Sequence, residues 1–208
     1  MRGALAITGL VLSLLTPMTD TQTSSPPQGK ITLDIKTING SGCPAGTADA
    51  TAVMSDDNTS FTVTYKNFAA KTGASTTAID QRKNCQINVL VHVPPGFTYA
   101  VAEADYSGFA HLAAGATALE QANYYFTGTA ATARVPHTLS GPFDGEWHTR
   151  DAANVLVYAP CGIDRNLNIN AELRASAGSS DGNTTSFIEM DSSHASVATT
   201  YQFSWMQC

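Results

Sequence analysis

Charge is scarce in this sequence: only 13% of its 208 residues are Asp, Glu, Lys or Arg. The 11 Lys and Arg residues are scattered and outnumbered by 17 acids, leaving a formal net charge of -6. A grip on nucleic acid needs a clustered basic face, so no nucleic-acid partner is expected. Low charge beside 43% hydrophobic residues also argues against a chain kept disordered by self-repulsion. Long apolar runs are missing as well. The best of them, Ala4–Leu15, falls short of the roughly 20 residues that cross a bilayer, so no membrane span is expected. The histidines His92, His111, His137, His148 and His194 are dispersed, without His-x-His or His-Glu-x-x-His spacing. No Cys-x-x-Cys pair occurs either, so neither a metal site nor a cofactor is expected. Asp56-Asp57-Asn58 could offer oxygens to calcium, but it equally spells a turn between two strands. A Gly-x-Ser-x-Gly nucleophile elbow is absent.

The N-terminus reads as an export signal. Arg2 supplies the positive charge, Ala4–Leu15 the short apolar core, and Thr19–Pro27 the polar stretch that follows. Residues 1–25 are therefore expected to be a signal peptide with a short polar segment, the mature start falling between residues 19 and 28. Residues 26–208 are then expected to form a single domain. Four cysteines, Cys43, Cys85, Cys161 and Cys208, fit an oxidising destination. They allow three pairings, of which the sequential one, Cys43–Cys85 with Cys161–Cys208, is expected. Each bridge would close a loop worth about 4 kcal/mol in the chain-entropy model. Asn39, Asn58 and Asn183 each open a tripeptide of N-glycosylation form.

The mature region alternates apolar and polar residues in short runs. Examples are Ile31–Lys36, Phe61–Lys66, Gln86–Val93, Leu167–Arg174 and Thr200–Trp205, separated by Gly, Pro, Asn and Ser clusters. A period of two puts one face inward and the other in water. The pattern predicts an all-β, two-sheet antiparallel sandwich of about ten strands. Val155–Tyr158, apolar on both faces, reads as a central strand. Helical character is confined to Leu112–Gln121, where Gly115 interrupts it.

Several acids could carry chemistry. Glu103 and Asp105 lie two apart in a strand-like run, on one face with Phe97, Tyr99 and Val101. Paired carboxylates could hydrolyse a glycoside if another stood opposite at about 5 to 9 Å; alternatively Ala100, Ala102 and Ala104 face the core and both acids face water. Glu189 and Asp191 repeat that spacing. Asp144, Glu146, Trp147 and His148 form a second group in a segment flanked by Gly and Pro. An aromatic ring beside acids and an imidazole could hold a sugar, or anchor a solvated turn. The row Asn166, Asn168, Asn170, Glu172 and Arg174 could bind carbohydrate through its amides, or be the wet face of a sheet.

The motifs Gly42-Cys43-Pro44-x-Gly46, Arg82-Lys83-Asn84-Cys85, Pro94-x-Gly96-Phe97 and Gly108-Phe109 occur in the first half of the mature chain. Gly141-Pro142-Phe143, Cys161-Gly162, Asn168-x-Asn170 and Trp205-x-x-Cys208 follow. Together they resemble a family of small secreted proteins of filamentous fungi and actinomycetes, described only as a domain of unknown function. The resemblance implies secretion, a β-rich fold and two disulfides; it implies no activity. The reading is therefore a secreted protein that binds a carbohydrate or another extracellular protein, or serves as a structural or effector component. The alternative is a hydrolase or lyase of cell-wall polysaccharide using Asp144, Glu146 or Glu103.

Overall fold

Alternation of apolar and polar residues becomes antiparallel pairing almost throughout the described chain. The computed structural model describes residues 23–132, 134–190 and 198–208, so most of the expected signal segment lies outside it, as does Asp191. Among the described residues there are twelve strands: β1 (Thr32–Asn39), β2 (Ala50–Met54), β3 (Ser60–Tyr65), β4 (Ala69–Thr72), β5 (Arg82–His92) and β6 (Phe97–Leu112). They continue with β7 (Thr117–Phe126), β8 (His137–Ser140), β9 (Phe143–Ala152), β10 (Asn166–Ser176), β11 (Ser186–Glu189) and β12 (Thr199–Gln207). A single helical turn, α1 (Ala78–Gln81), precedes β5.

One sheet has five strands in the order β1-β5-β10-β7-β8. The other has seven, β2-β3-β12-β6-β11-β4, with β9 on the opposite edge of β6. The expected sandwich is therefore present, with twelve strands rather than about ten. Its core is built by the inward residues of both sheets. Ile87, Val89, Leu167, Ile169 and Leu173 of the five-stranded sheet are buried, as are Phe61, Tyr99, Tyr106, Tyr201 and Trp205 of the seven-stranded sheet. Phe61 stacks on Tyr201 at 4.9 Å between ring centres, and Tyr99 meets Phe126 edge-on across the sandwich at 5.2 Å. Aromatic pairs of this kind add about 1 kcal/mol beyond the apolar area they bury.

Three of the alternatives weighed from the sequence are decided against, each for a local reason. Along β6 the register slips between Glu103 and Val101 against β12, making Ala102 a bulge. The extra residue reverses the alternation, so Tyr99 and Val101 point inward while Glu103 and Asp105 point to solvent. Those five residues never share a face. Val155–Tyr158 is not a strand. The chain there bows off the β6 edge, held by the backbone of Ala153 and Ala159, which donate to the carbonyls of Ala102 and Tyr99, and by the Tyr158 hydroxyl, 2.8 Å from the Ser204 hydroxyl, and it leaves Val155 and Val157 exposed. Leu112–Gln121 is not helical; it ends β6, turns and begins β7. Gly115 makes that turn with φ +86, and a Cβ there would lie 2.5 Å from the Ser179 hydroxyl.

Both disulfides take the sequential pairing, Cys43–Cys85 and Cys161–Cys208. The first is fully buried between β1 and β5; the second is exposed.

The N-terminal strap from Ser24 to Ile31 is bracketed by one side chain. Ser24 donates to the Trp205 carbonyl. Asn58, in the left-handed turn between β2 and β3 with φ 59, donates from its amide to the carbonyls of Pro27 (3.1 Å) and Gly29 (2.7 Å). Its Oδ1 accepts from the Ile31 backbone N–H at 3.3 Å. Replacing Asn58 by Ala removes three hydrogen bonds and should cost about 3 kcal/mol in urea unfolding. The same burial means that glycopeptide mapping of the folded protein should find Asn58 bare. Asn39 and Asn183 are exposed. A glycan on Asn58 in correctly folded protein would contradict this placement.

Candidate ligand-binding face

The acids singled out from sequence do not converge. Glu103 and Asp105 share one partner, Arg150 of β9, whose Nη1 lies 3.3 Å from Glu103 Oε1 and whose Nε donates to Asp105 Oδ1 at 2.6 Å. Asp144 and Glu146 lie on the exposed face of β9, not in a loop, and Asp144 Oδ1 is 3.3 Å from His111 Nδ1. Trp147, next after Glu146 in sequence, points the other way into the core. Glu189 lies on β11. Phe109, His111 and Phe187 lay their rings side by side on this outer surface, with His111 and Phe109 each about 6 Å from Phe187. Asp57 is occupied locally, accepting from the hydroxyls of Ser55 and Thr59. Among the described residues no three His, Cys, Asp or Glu side chains are grouped as a metal site. No described helix is long and apolar enough to cross a membrane.

The outer face of the five-stranded sheet is different. Alternation along β5 and β10 buries Cys85, Ile87 and Val89 against Leu167, Ile169 and Leu173, which turns every intervening residue outward. Antiparallel register then sets those residues in cross-strand rows: Asn88, Asn168 and Tyr125; Gln86, Asn170 and Asn123; Asn84, Glu172 and Gln121. Two of the motifs that carry the family resemblance, Arg82–Cys85 and Asn168-x-Asn170, thus become neighbours. Asn88 donates to Asn168 Oδ1 at 2.7 Å, and Asn168 donates to the Thr127 hydroxyl at 3.1 Å, so Asn168 is held in one orientation. The Gln86 and Asn170 amides and the Tyr125 hydroxyl have no partner among the described residues. Gln86, Asn88, Asn168, Asn170 and Tyr125 line a shallow depression of about 390 Å³, bordered by Asn39 at the end of β1.

Next to this row stands Glu172, 2% exposed although it faces outward. Arginines form its cover. Arg82 donates from Nε to Oε2 at 3.0 Å, Arg174 from Nε to Oε1 at 2.5 Å, and Arg134 brings Nη1 to 3.5 Å from Oε2. Gln121 donates to Oε1 at 3.0 Å, and Arg134 Nε donates to Asn123 Oδ1 at 3.0 Å. Burial alone would raise the Glu172 carboxyl, but the hydrogen bonds from Arg82, Arg174 and Gln121 outweigh it and hold the group below its ordinary value. Glu172 is therefore a fixed anion.

A second buried carboxyl lies inside the sandwich. On β7, Ala118, Glu120, Ala122, Tyr124 and Phe126 all point inward, and Glu120 is fully buried. Thr149 donates to its Oε2 at 3.1 Å, while Oε1 has no partner. Desolvation, reinforced by the nearby Asp151 charge, pushes Glu120 up from 4.5 to about 8, so it is a neutral acid at pH 7. Asp151 Oδ1 lies 2.7 Å from Nε2 of His137, which is directly across the strand pair from Glu120. Burial also pushes the Tyr65, Tyr106 and Tyr201 hydroxyls upward, and the Glu120 charge adds to each.

Sequence reasoning found Asn168, Asn170, Glu172 and Arg174 but missed Arg82, Arg134, Gln86, Asn88, Tyr125 and Glu120 as members of these groups. For Glu120 the signal was present, since the two-residue period Ala118–Phe126 carries one acid on its apolar side. The Arg134 contact has no local signal, because it comes from a loop folding back over β7.

A family model described as "Domain of unknown function (DUF4360)" matches residues 29–208. An "Uncharacterized secreted protein" of Arthroderma benhamiae is 33% identical over 187 residues, covering 89% of this chain and 75% of its own length. Among solved structures, TmCBM61 in complex with beta-1,4-galactotriose aligns at TM-score 0.30 and 9% identity over 86% of this chain and 88% of its own. The enzymatically active domain of bacteriophage CBA120 tailspike protein 4 aligns at TM-score 0.26 and 12% identity over 86% and 19%. At such scores neither alignment bears on what this chain binds.

Proposed function

The chain is a secreted member of the DUF4360 family, and on that premise we propose that it acts by binding a saccharide on the outer face of its five-stranded sheet. The observation that carries this reading is the amide row itself. Gln86 and Asn170 present unpaired amides, each able to donate and accept, beside the oriented Asn88–Asn168 pair. Sugar hydroxyls also donate and accept, so neighbouring amides can satisfy them pairwise. Tyr125, two strand spacings or roughly 10 Å from Asn88, offers the apolar ring face that a pyranose can lie against. Of the acids that a hydrolase would use, Glu103 is paired with Arg150 and Asp144 with His111, both on the other sheet, which favours binding over turnover. An export signal at the N-terminus would fit the same setting. Because Ser24 is already part of the folded strap, removal between residues 19 and 23 would leave the domain intact.

Glycan-array screening followed by calorimetry tests the reading. Tyr125→Ala and Asn168→Ala should each weaken a bound saccharide about tenfold, the equivalent of one lost stacking contact or hydrogen-bond pair. Phe187→Ala, on the opposite sheet, should leave affinity intact. Loss of binding in Phe187→Ala with none in Tyr125→Ala or Asn168→Ala would move the site to the other sheet and end this proposal.

A further inference from the structure

Six arginines occur in the sequence, and three of them, Arg82, Arg134 and Arg174, meet over the single carboxylate of Glu172. In a chain of net charge -6 this leaves a local surplus of two positive charges, on the same face as the amide row and continuous with it. The guanidiniums remain open to solvent, with side-chain exposures of 60%, 40% and 50% for Arg82, Arg134 and Arg174. Each carries five N–H donors in a fixed fork, and Glu172, Asn123 and the protein consume only some of them. What Glu172 does is hold three long, mobile side chains in place from beneath. Arginines ordered before a ligand arrives lose less entropy when it binds, and their planar forks match a carboxylate in two-point contact.

From this we infer that the saccharide is acidic: a glycan bearing carboxylate groups, with a uronate on the arginine canopy and neighbouring residues of the sugar chain on the amide row. The inference rests on the saccharide reading above. Along β10 the distance from Asn168 to Arg174 is roughly 20 Å, so the face accommodates several sugar units rather than one. Arg82 and Arg174, opposite each other on β5 and β10, form the entrance edge of the canopy, and Arg134 closes it from the loop before β8.

The test uses the intact secreted protein with polygalacturonate, the same polymer fully methyl-esterified, and poly-glutamate, by calorimetry. Polygalacturonate should bind at least tenfold more tightly than the ester, with an advantage that shrinks as salt rises. Arg82→Gln and Arg174→Gln, each checked for an unchanged circular dichroism spectrum, should bring that ratio to about one. Equal affinity for acid and ester overturns the acidic preference and leaves the saccharide reading standing, whereas no affinity for either polymer or any neutral glycan removes both. Poly-glutamate binding as tight as polygalacturonate would show attraction to negative charge alone and overturn the inference.

Discussion

Glu120→Gln should make the protein more stable than the wild type at pH 8 and no more stable at pH 4. The Glu120 carboxyl is raised from 4.5 to about 8 in the fold, chiefly by burial. Below pH 4.5 folded and unfolded chains both hold the proton, and the group has no effect. Between 4.5 and 8 the unfolded chain releases a proton that the folded chain keeps, so stability falls as pH rises. Above 8 both are ionised and the loss is complete, on the order of 5 kcal/mol at 1.36 kcal/mol per unit. Gln is nearly isosteric, carries no charge at any pH and still accepts from Thr149. Urea midpoints between pH 4 and 9 should therefore slope downward for the wild type and lie flatter for the variant. Parallel curves would mean that Glu120 ionises normally, and that the space between the sheets is wetter than its burial implies.

Removing the buried disulfide should cost more than removing the exposed one. The two bridges close loops of similar length, with sequence separations of 42 and 47, so the chain-entropy contribution of each is about 4 kcal/mol. Cys43 and Cys85 are also packed at zero exposure, whereas Cys161 and Cys208 lie at the surface. Cys43→Ala with Cys85→Ala therefore adds a cavity that Cys161→Ala with Cys208→Ala does not, for a further 1–2 kcal/mol or so. Access orders their chemistry too. Under mild reductant without denaturant, thiol labelling should appear first at Cys161 and Cys208. Earlier labelling at Cys43 or Cys85 would show that the β1–β5 edge opens before the C-terminus frays.

Where alternation ran unbroken, the chain's organisation was readable directly. Ile87, Val89 and Val91, or Leu167, Ile169 and Leu173, can be buried only on one side of an extended strand, and that places Gln86, Asn88, Asn168 and Asn170 outside. The run through β6 misled because one added residue, Ala102, inverts every position before it while leaving the apolar pattern superficially regular. Val155–Tyr158 misled because apolar composition cannot distinguish a central strand from a loop whose hydrogen bonds go elsewhere. The partner of Glu103 and Asp105 was not legible, because spacing along one strand does not reveal a cation across it, and Arg150 stands on β9.

The sequence by itself determined a low-charge, disulfide-bridged, all-β chain with a polar face on β10, since composition, cysteine number and two-residue periodicity act locally. Only the tertiary structure decided which polar residues meet. Arg82, Arg134 and Glu172 are separated by scores of residues, and Glu120 is joined to Thr149 and Asp151 only when two sheets close over it. Register between strands distant in sequence creates those contacts, and desolvation, which depends on everything packed around a group, sets whether each carboxyl is a clamped anion or a neutral acid.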